Sequence, residues 1–314
     1  VDYGFFIGPA SELSALVTSN QTDVPSTSHR NSNIWIKLQN DKAFSESYVM
    51  AYSHDTATDI QSFIGGRYLD RHSKREDVWK LDHRLYVLDW NVNWEGSGSA
   101  AKDFVQPPIW GNQKEKDIVA SELSKWEKSS EKISVNQNSL LTDTFLQRAE
   151  AALTKQTIHE LIMAQARATD RGDLDSFLEL WHPNATVEAD FFKGKARDYC
   201  RKVLDRVAKY GKLSHHISNE WIETKNERAI AESYVVAFLS RKDDDGDQWD
   251  EFIGGRYLDK FSRIDGEWKF TERKFIQDWN TKQKCSDKTG EGMYEALTTV
   301  GKKYPDDPVY SHWS

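Results

Sequence analysis

The sequence predicts an α+β fold built twice in tandem, as two cone-shaped barrels in which a curved antiparallel sheet wraps over helices. The first observation is an internal repeat, because the octapeptide FIGGRYLD occurs at residues 63–70 and again at 252–259. The second is that each octapeptide follows Glu-Ser-Tyr-Val and precedes a Trp, an Arg and Asp-Trp-Asn at equal spacing. The third is that helical periodicity precedes the second copy, whereas strand-like alternation surrounds its repeated motifs. A chain of 314 residues is long enough for two such domains.

The two copies align with one change of spacing. His29 and Asn33 match His215 and Asn219 at an offset of 186 residues, whereas the octapeptides lie 189 residues apart. The difference falls in the acidic loop 243–247, and polar turns tolerate insertions better than strands do. A gap confined to a turn indicates two copies of one fold.

The first copy lacks the helices that precede the second. Residues 1–8 align without a gap on 187–194, so the helical segment 141–186 has no counterpart at the start of the chain. We expect either that the chain begins late in the first domain or that another segment, with 115–134 as the candidate, supplies its helices. The predicted organisation is a first domain without N-terminal helices, a linker with a helix, a complete second domain and a tail. These four parts occupy residues 1–95, 96–140, 141–282 and 283–314. We expect the linker helix and the tail to pack across domains or subunits.

The pattern of the second copy predicts each element in order. Gly172 ends one helix and Asp173 caps the next, so helices are expected at 141–153, 155–170 and 174–181. The buried face of the second helix is marked by Ile158, Leu161, Ile162, Ala166 and Thr169. We then expect a turn at 182–184, a strand at 185–189, a helix at 195–210, and strands at 214–223, 228–241, 249–263 and 267–280. Asp265-Gly266 predicts the last hairpin, and Gly254-Gly255 within a strand pattern predicts a bulge that bends the sheet.

The composition excludes several classes of function. A net charge of −8, with Lys mixed among Glu and Asp, argues against nucleic-acid binding, which needs clustered Lys and Arg. The longest clean apolar run, 234–239, is far too short to span a membrane, and we expect a cytoplasmic protein. Cys200 and Cys285 lie outside the repeated motifs and do not have the pattern of a disulfide framework. The sequence carries neither a metal-ligand cluster nor a nucleotide motif, so we expect no metal, no cofactor and a small-molecule substrate.

The order of elements and the repeated motifs resemble the SnoaL-like branch of the nuclear transport factor 2-like superfamily. This branch includes hexachlorocyclohexane dehydrochlorinase, scytalone dehydratase and bile acid 7α-dehydratase. The most specific segments are 253–257, which read Ile-Gly-Gly-Arg-Tyr, and 263–270, which read Arg-Ile-Asp-Gly-Glu-Trp-Lys-Phe. The resemblance covers about 141–282 fully and about 1–95 in part. It implies a pocket that the inner face of the sheet lines.

The resemblance also implies a His–Asp base in the second copy. Asp170 matches the family carboxylate because it precedes Trp181 by eleven residues, and His215 matches the family histidine that opens the first long strand. Arg273 matches a family arginine on the last strand. An imidazole near neutrality can remove a proton, a buried carboxylate can orient it, and a guanidinium can hold developing negative charge.

Several further candidates are open to both a functional and a structural interpretation. The first copy offers His29 and Arg84, although its carboxylate would precede Val1. Gln165 stands where some dehydratases of the family carry a Tyr, and an amide can polarise a leaving group but cannot protonate it. The candidate substrate contacts are Gln165, Trp181, Phe192, Tyr234, Tyr257 and Trp279, although aromatic residues on strands are more often part of the core.

Arg273 has two alternative partners. It could pair with an acid such as Glu232 across the sheet, which would make it structural. With Asp278 it could instead form part of an Asp-Arg-Asp set around water, as a hydrolase or monooxygenase would need.

We therefore expect a cofactor-independent lyase or isomerase that acts on a small apolar cyclic or aromatic substrate through His215 and Asp170. Loss of water, halide or formaldehyde and a double-bond shift all fit this pair. The alternative is a noncatalytic ligand-binding or assembly module of the same fold, and a third option combines one active copy with one structural copy. The two copies are expected to pack as an internal pseudo-dimer, with or without further homo-oligomerisation.

Overall fold

The computed structural model of the 314-residue chain describes residues 1–4, 6–19, 26–55, 58–95, 143–189 and 191–313. Residues 1–95 and 151–314 form one compact unit, and residues 96–150 form another. The first unit contains both copies of the repeat. The candidate donor segment 115–134, with the linker helix predicted at 117–132, lies outside the described residues.

The first copy forms a four-stranded antiparallel sheet with the strand order β1-β2-β3-β4. Neighbouring strands follow one another in the chain, so the sheet is a meander of hairpins. The elements of this copy are helix α1 (Ala10–Ser19), β1 (Ser26–Gln39), β2 (Lys42–Asp55), β3 (Ile60–Arg75) and β4 (Val78–Glu95).

The second copy adds helices and two short strands to the same meander. Its sheet has the order β6-β5-β10-β9-β8-β7, and only the β5–β10 pair is parallel. Its helices are α2 (Asp143–Arg171), α3 (Leu174–Glu179) and α4 (Ala196–Val207). Its strands are β5 (Trp181–Ala189), β6 (Phe192–Lys195), β7 (Tyr210–Lys225), β8 (Arg228–Lys242), β9 (Gln248–Ile264) and β10 (Glu267–Lys284). The tail adds a 3₁₀ turn at Gly292–Tyr294 and a short helix α5 at Pro308–Trp313. The predicted α+β class with antiparallel sheets is confirmed.

The predicted end of α2 is confirmed, whereas the predicted break inside α2 is wrong. Gly172 has φ +70° and follows the last residue of α2, while Asp173 caps α3 by accepting a hydrogen bond from the Ser176 N–H at 3.1 Å. The predicted break near residue 154 does not exist, because α2 is continuous and the sequence has no Gly or Pro there. The helix predicted at 195–210 is shorter, since β7 already begins at Tyr210.

The turn predicted at 182–184 is also wrong. These residues lie inside β5, which begins at Trp181 rather than at residue 185. Trp181 pairs with Phe270 and Thr186 pairs with Glu272, so four residues of β5 lie opposite one residue of β10. Pro183 is accommodated in this irregular stretch, where a missing N–H breaks no ladder bond.

The predicted core face and the last hairpin are confirmed. Ile158, Ile162 and Ala166 of α2 are almost fully buried in a cluster with Phe261 and Phe270 of the sheet. The hairpin between β9 and β10 has a two-residue loop whose residues both have positive φ, which matches the right-handed twist of the strands. No helix in the described ranges is both long and apolar enough to cross a bilayer.

The paired glycines lie opposite a bulge in each copy. Gly255 pairs with Gln277 and Gly254 with Trp279, so Asp278 is the extra residue on β10. Asp89 is the extra residue at the same place in the first copy. A Cβ on Gly255 would lie 2.4 Å from the carbonyl oxygen of the neighbouring strand, so the close approach requires glycine.

One face of each sheet carries the arginine of the octapeptide, and we call it the arginine face. In the first copy it comprises Glu46, Tyr48, Arg67, Leu69 and Asp89, and in the second Glu232, Tyr234, Arg256, Leu258 and Asp278. In the first copy this face is covered, because the tail places Asp307 against Arg67 and packs Val309 against Leu69. In the second copy it is open, with Tyr234 44% and Leu258 36% exposed.

Candidate active site

The second copy brings a histidine and an aspartate into direct contact. Asp170 is the penultimate residue of α2, and His215 lies in β7. The ring Nδ1 of His215 lies 2.6 Å from Asp170 Oδ1, and the backbone N–H of His215 donates to Asp170 Oδ2 at 3.0 Å. An ionised carboxylate at Nδ1 favours the tautomer with its proton there, which leaves a lone pair on Nε2. No described residue hydrogen-bonds to that Nε2 atom.

Asp170 is fully buried and lies at the contact between the two copies. The Tyr48 hydroxyl of the first copy donates to Asp170 Oδ2 at 3.2 Å, and Lys303 of the tail donates to the Asp170 carbonyl oxygen at 2.9 Å. Burial acts to raise the pKa of Asp170, but the charge and hydrogen bonds of His215, together with the nearby Arg171, lower that pKa below its usual value. The carboxylate is therefore ionised at neutral pH and can stabilise an imidazolium.

A cavity of about 130 Å³ lies beside the histidine ring. Its lining is mostly apolar and aromatic, and it includes Val235 of β8, Ile253 of β9 and Phe275 of β10, which are three neighbouring strands. His215 and Gln165 are among the polar residues at its wall. The arrangement places an imidazole beside a mostly apolar cavity, as small-ligand sites in proteins place a few polar groups in apolar surroundings.

Arg273 does not line this cavity, but it contacts two residues that do, Gln165 and Tyr257. Its Nε and Nη2 atoms each donate to Asp259 at 2.7 Å, its Nη1 atom donates to Gln165 Oε1, and it lies 3.9 Å from the centre of the Tyr257 ring. Burial opposes its charge, but Asp259 outweighs burial and raises the pKa of Arg273. Gln165 in turn donates from Nε2 to Thr169 Oγ1 at 3.0 Å. Arg273 therefore fixes the Gln165 amide, and its own charge is neutralised.

Of the two alternatives for Arg273, the first agrees with the structure in kind, because Arg273 pairs with an acid across the sheet, but that acid is Asp259 and not Glu232. Glu232 accepts a hydrogen bond from Arg256 at 3.1 Å, and Asp278 pairs with the same Arg256 on the arginine face. Arg273 reaches the cavity side of the sheet instead. The Asp-Arg-Asp set that a hydrolase or monooxygenase would need is therefore not assembled around Arg273.

Tyr257 lines the cavity, as predicted, whereas Trp181 does not. Trp181 is 2% exposed and packs in the core with its ring centre 4.8 Å from that of Phe270. Its position at the start of β5 turns it toward the helices. The side chain of Trp279 lies outside the described residues.

Phe192 and Tyr234 also lie apart from the cavity. Phe192 packs against Tyr199, with 5.6 Å between ring centres, while its neighbour Phe191 lines the cavity. Tyr234 is on the arginine face because side chains alternate along β8. The structure thus brings together His215, Asp170, Gln165 and Tyr257 out of the predicted set.

The first copy has no equivalent pair in its described part. His29 is exposed on β1, and none of the described carboxylates hydrogen-bonds to it. Arg84 donates to Asp70 at 2.7 and 2.8 Å and stacks over Tyr68. The Arg84–Asp70 pair repeats the Arg273–Asp259 pair, so this ion pair is a shared structural feature of both copies.

Two residues of the first copy were not predicted to belong to the site. They are Tyr48, which contacts Asp170, and Asn33, whose Nδ2 donates to the His215 carbonyl oxygen at 2.6 Å. Both belong to motifs that the repeat analysis singled out, namely Glu-Ser-Tyr-Val and His-x-x-x-Asn. A repeated motif marks its residues, but it does not show that one copy contacts the other.

Comparison with known proteins identifies the family. The SnoaL-like domain family matches residues 2–85 and 150–274, which is more than half of the chain, so the protein belongs to this family. No curated protein matches it in sequence. Within the described ranges, no three His, Cys, Asp or Glu side chains are grouped to hold a metal ion.

Two similar solved structures each match less than half of this chain. A scytalone dehydratase-like protein from Novosphingobium aromaticivorans DSM 12444 is 23% identical, covers 42% of this chain and 90% of its own, and has a TM-score of 0.38. Hexachlorocyclohexane dehydrochlorinase of type 3 from Novosphingobium barchaimii LL02 is 15% identical, with coverages of 43% and 94% and a TM-score of 0.38. At these identities the likeness concerns the fold alone.

Proposed function

We propose that the second copy is a cofactor-independent lyase or isomerase site, in which His215 removes a proton from a small apolar cyclic substrate. The observation that carries this proposal is the 2.6 Å contact between His215 Nδ1 and Asp170 Oδ1 beside an apolar cavity. A base must lie within hydrogen-bonding reach of the proton that it abstracts. His215 lines the cavity, and none of the described residues hydrogen-bonds to its Nε2 atom, which leaves that atom available to a ligand there.

The proposed step needs only groups that are present in the chain. The Nε2 lone pair takes a proton from a substrate carbon, and the electrons of that C–H bond form a new double bond. In an elimination of halide, the group on the adjacent carbon leaves with its bonding electrons, whereas in a loss of water the His215 imidazolium returns its proton to the departing hydroxyl group. In an isomerisation, the new double bond forms as an adjacent double bond of the substrate shifts, and the imidazolium returns its proton to the far carbon. Asp170 stabilises the imidazolium that forms, because its ionised carboxylate stays hydrogen-bonded to Nδ1.

Gln165 is the polar group best placed to act on the leaving group or on developing charge. Its amide oxygen is occupied by Arg273 and one N–H by Thr169, and a primary amide carries a second N–H. That N–H can donate to an electronegative atom of the substrate. Arg273 acts through Gln165, because its own charge is paired with Asp259.

The size of the cavity limits the substrate. A volume of about 130 Å³ is close to the roughly 150 Å³ of an apolar protein cavity that holds one benzene ring. We therefore expect a compound with a single ring and few substituents. Its acidic C–H lies next to a carbon that bears the leaving group or an activating carbonyl.

The test is a turnover screen with internal controls. A panel of single-ring chlorides, alcohols and ketones is incubated with the protein, and chloride release and new conjugated double bonds are followed. His215→Ala and Asp170→Asn should reduce turnover by about a hundredfold or more. His29→Ala changes the repeat-equivalent histidine and should leave turnover unchanged. Turnover within about twofold of wild type in His215→Ala would reject the mechanism, and ligand binding without turnover would favour the noncatalytic alternative.

A further inference from the structure

We propose that the first copy is a positioning module for the site of the second, which acts through Tyr48 on the Asp170 carboxylate and through Asn33 on the His215 backbone. This inference rests on the proposed function only for its kinetic consequence. The geometry on which it depends is a set of hydrogen bonds between the copies.

Tyr48 occupies a position that the repeat allows us to compare directly. Its equivalent in the second copy, Tyr234, is 44% exposed, whereas Tyr48 is 1% exposed. The Tyr48 hydroxyl donates to Asp170 Oδ2, the oxygen that also accepts the His215 backbone N–H. The same residue in the same motif is thus exposed in one copy and bonded to the candidate dyad in the other.

Tyr48 remains a donor at all relevant pH values. Burial, together with the nearby charge of Asp170, raises the pKa of Tyr48 well above its usual value. A phenol that stays protonated has an O–H to donate to the carboxylate. The terminal torsion of an aspartate is broad, so a donor on Oδ2 restricts the rotation that would move Oδ1 away from the imidazole.

Asn33 hydrogen-bonds to the main chain of β7, the strand that carries His215. Its Nδ2 donates to the His215 carbonyl oxygen at 2.6 Å, and its Oδ1 accepts from the Ile217 N–H at 2.7 Å. Because β7 is the edge strand of its sheet, these two backbone groups have no neighbouring strand of that sheet to pair with. Asn33 and its equivalent Asn219 both have φ +47° at the same bulge, yet Asn219 is exposed.

Together these contacts from the first copy hold both members of the His215–Asp170 pair. Tyr48 orients the carboxylate of Asp170, and Asn33 fixes the main chain that carries the imidazole of His215. In the first copy, none of the described carboxylates hydrogen-bonds to His29. This copy contributes hydrogen-bond donors and an acceptor to the site of the second copy instead. Positioning residues of this kind are expected to change the rate of the chemical step more than the binding of substrate.

The test compares Tyr48→Phe with Tyr234→Phe, because each removes one hydroxyl from the same motif. The probe is the Nδ1 proton of His215, observed by NMR in protein with ¹⁵N-labelled histidine, and no substrate is required. In Tyr48→Phe this proton should exchange with water about tenfold faster than in wild type, and kcat should fall by about tenfold while KM stays within about twofold. Tyr234→Phe should leave both quantities unchanged. Thermal unfolding of each variant confirms that it is folded.

Asn33→Gly is a second test of the proposal, because glycine keeps the left-handed backbone conformation and removes only the side chain. Its matched control is Asn219→Gly. Faster exchange of the His215 Nδ1 proton is expected in Asn33→Gly and not in the control. Wild-type exchange in folded Asn33→Gly and Tyr48→Phe would overturn the proposal. If exchange accelerates but no compound is turned over by wild type, the positioning role stands and the proposed function fails.

Discussion

Asp89→Asn is expected to destabilise the protein by about 3 kcal/mol. Asp89 is 5% exposed and accepts hydrogen bonds from Arg67 Nε and Nη2, each at 2.9 Å, and Arg67 is fully buried. Removing one partner of a buried ion pair costs about 3–5 kcal/mol. Arg67 keeps Asp307 and Glu46 as partners, and Asn preserves the shape of the site, so the lower end of that range applies.

The repeat supplies the matched control. Asp278 occupies the same bulge in the second copy and pairs with Arg256, but both side chains are about one-third exposed. Exposed ion pairs contribute little to stability, so Asp278→Asn should leave the urea midpoint nearly unchanged. Urea unfolding, followed by tryptophan fluorescence, measures both variants. Equal shifts of the two midpoints would refute the conclusion that the tail and the second copy bury the arginine face of the first.

Three further changes test the packing and electrostatics of the fold. Burial lowers the pKa of His216 to about 4, so between pH 6.5 and 4 the unfolded chain binds a proton that the native protein does not. Stability should fall by about 3 kcal/mol across that window, and His216→Gln should remove this part of the loss in urea titrations at successive pH values. His159 acts in the opposite sense, because its hydrogen bond to Glu220 raises its pKa, so its stabilisation is complete below pH 6.5 and is lost as pH rises through the folded-state value. His159→Gln should flatten that loss in the same titrations. Gly255→Ala should destabilise by about 2 kcal/mol, because its Cβ would lie 2.4 Å from a backbone carbonyl oxygen, whereas Gly211→Ala has 3.7 Å of room and should change little.

Each of these expectations has a result that contradicts it. Identical acid sensitivity of wild type and His216→Gln would show that the buried ring takes its proton as readily as in the unfolded chain. A loss of stability above neutral pH that is unchanged in His159→Gln would remove the assigned role of the Glu220 pair. Equal stability of the two glycine variants would show that the strand next to Gly255 yields to a methyl group.

Much of the second copy could be predicted because its signals are local. The helix face of Ile158, Ile162 and Ala166 follows from periodicity, and Gly172-Asp173 marks a helix end and a cap. The Asp170–His215 contact was expected from the family resemblance, and no local pattern would have placed two residues 45 positions apart in contact.

The wrong predictions and the missed contacts concern residues whose conformation or surroundings are set by tertiary packing. Pro183 favoured a turn, but an irregular stretch of β5 accommodates it within the sheet. The repeat predicts equal surroundings for Tyr48 and Tyr234, since their sequence motifs are the same. The contact of Tyr48 with Asp170, 122 residues away, depends on how the two sheets pack, and no periodicity encodes that packing.

The most direct test of the central claim is deuterium incorporation from D₂O into single-ring compounds that bind the cavity, measured by mass spectrometry. Proton abstraction by His215 predicts that wild type and His29→Ala label the acidic carbon of a bound compound at the same rate. His215→Ala should reduce that rate by about a hundredfold or more. An elimination removes the proton without returning a deuteron, so loss of the leaving group is followed in the same samples. Binding with neither labelling nor elimination above the His215→Ala background, or equal rates of both in wild type and His215→Ala, would contradict the role assigned to His215.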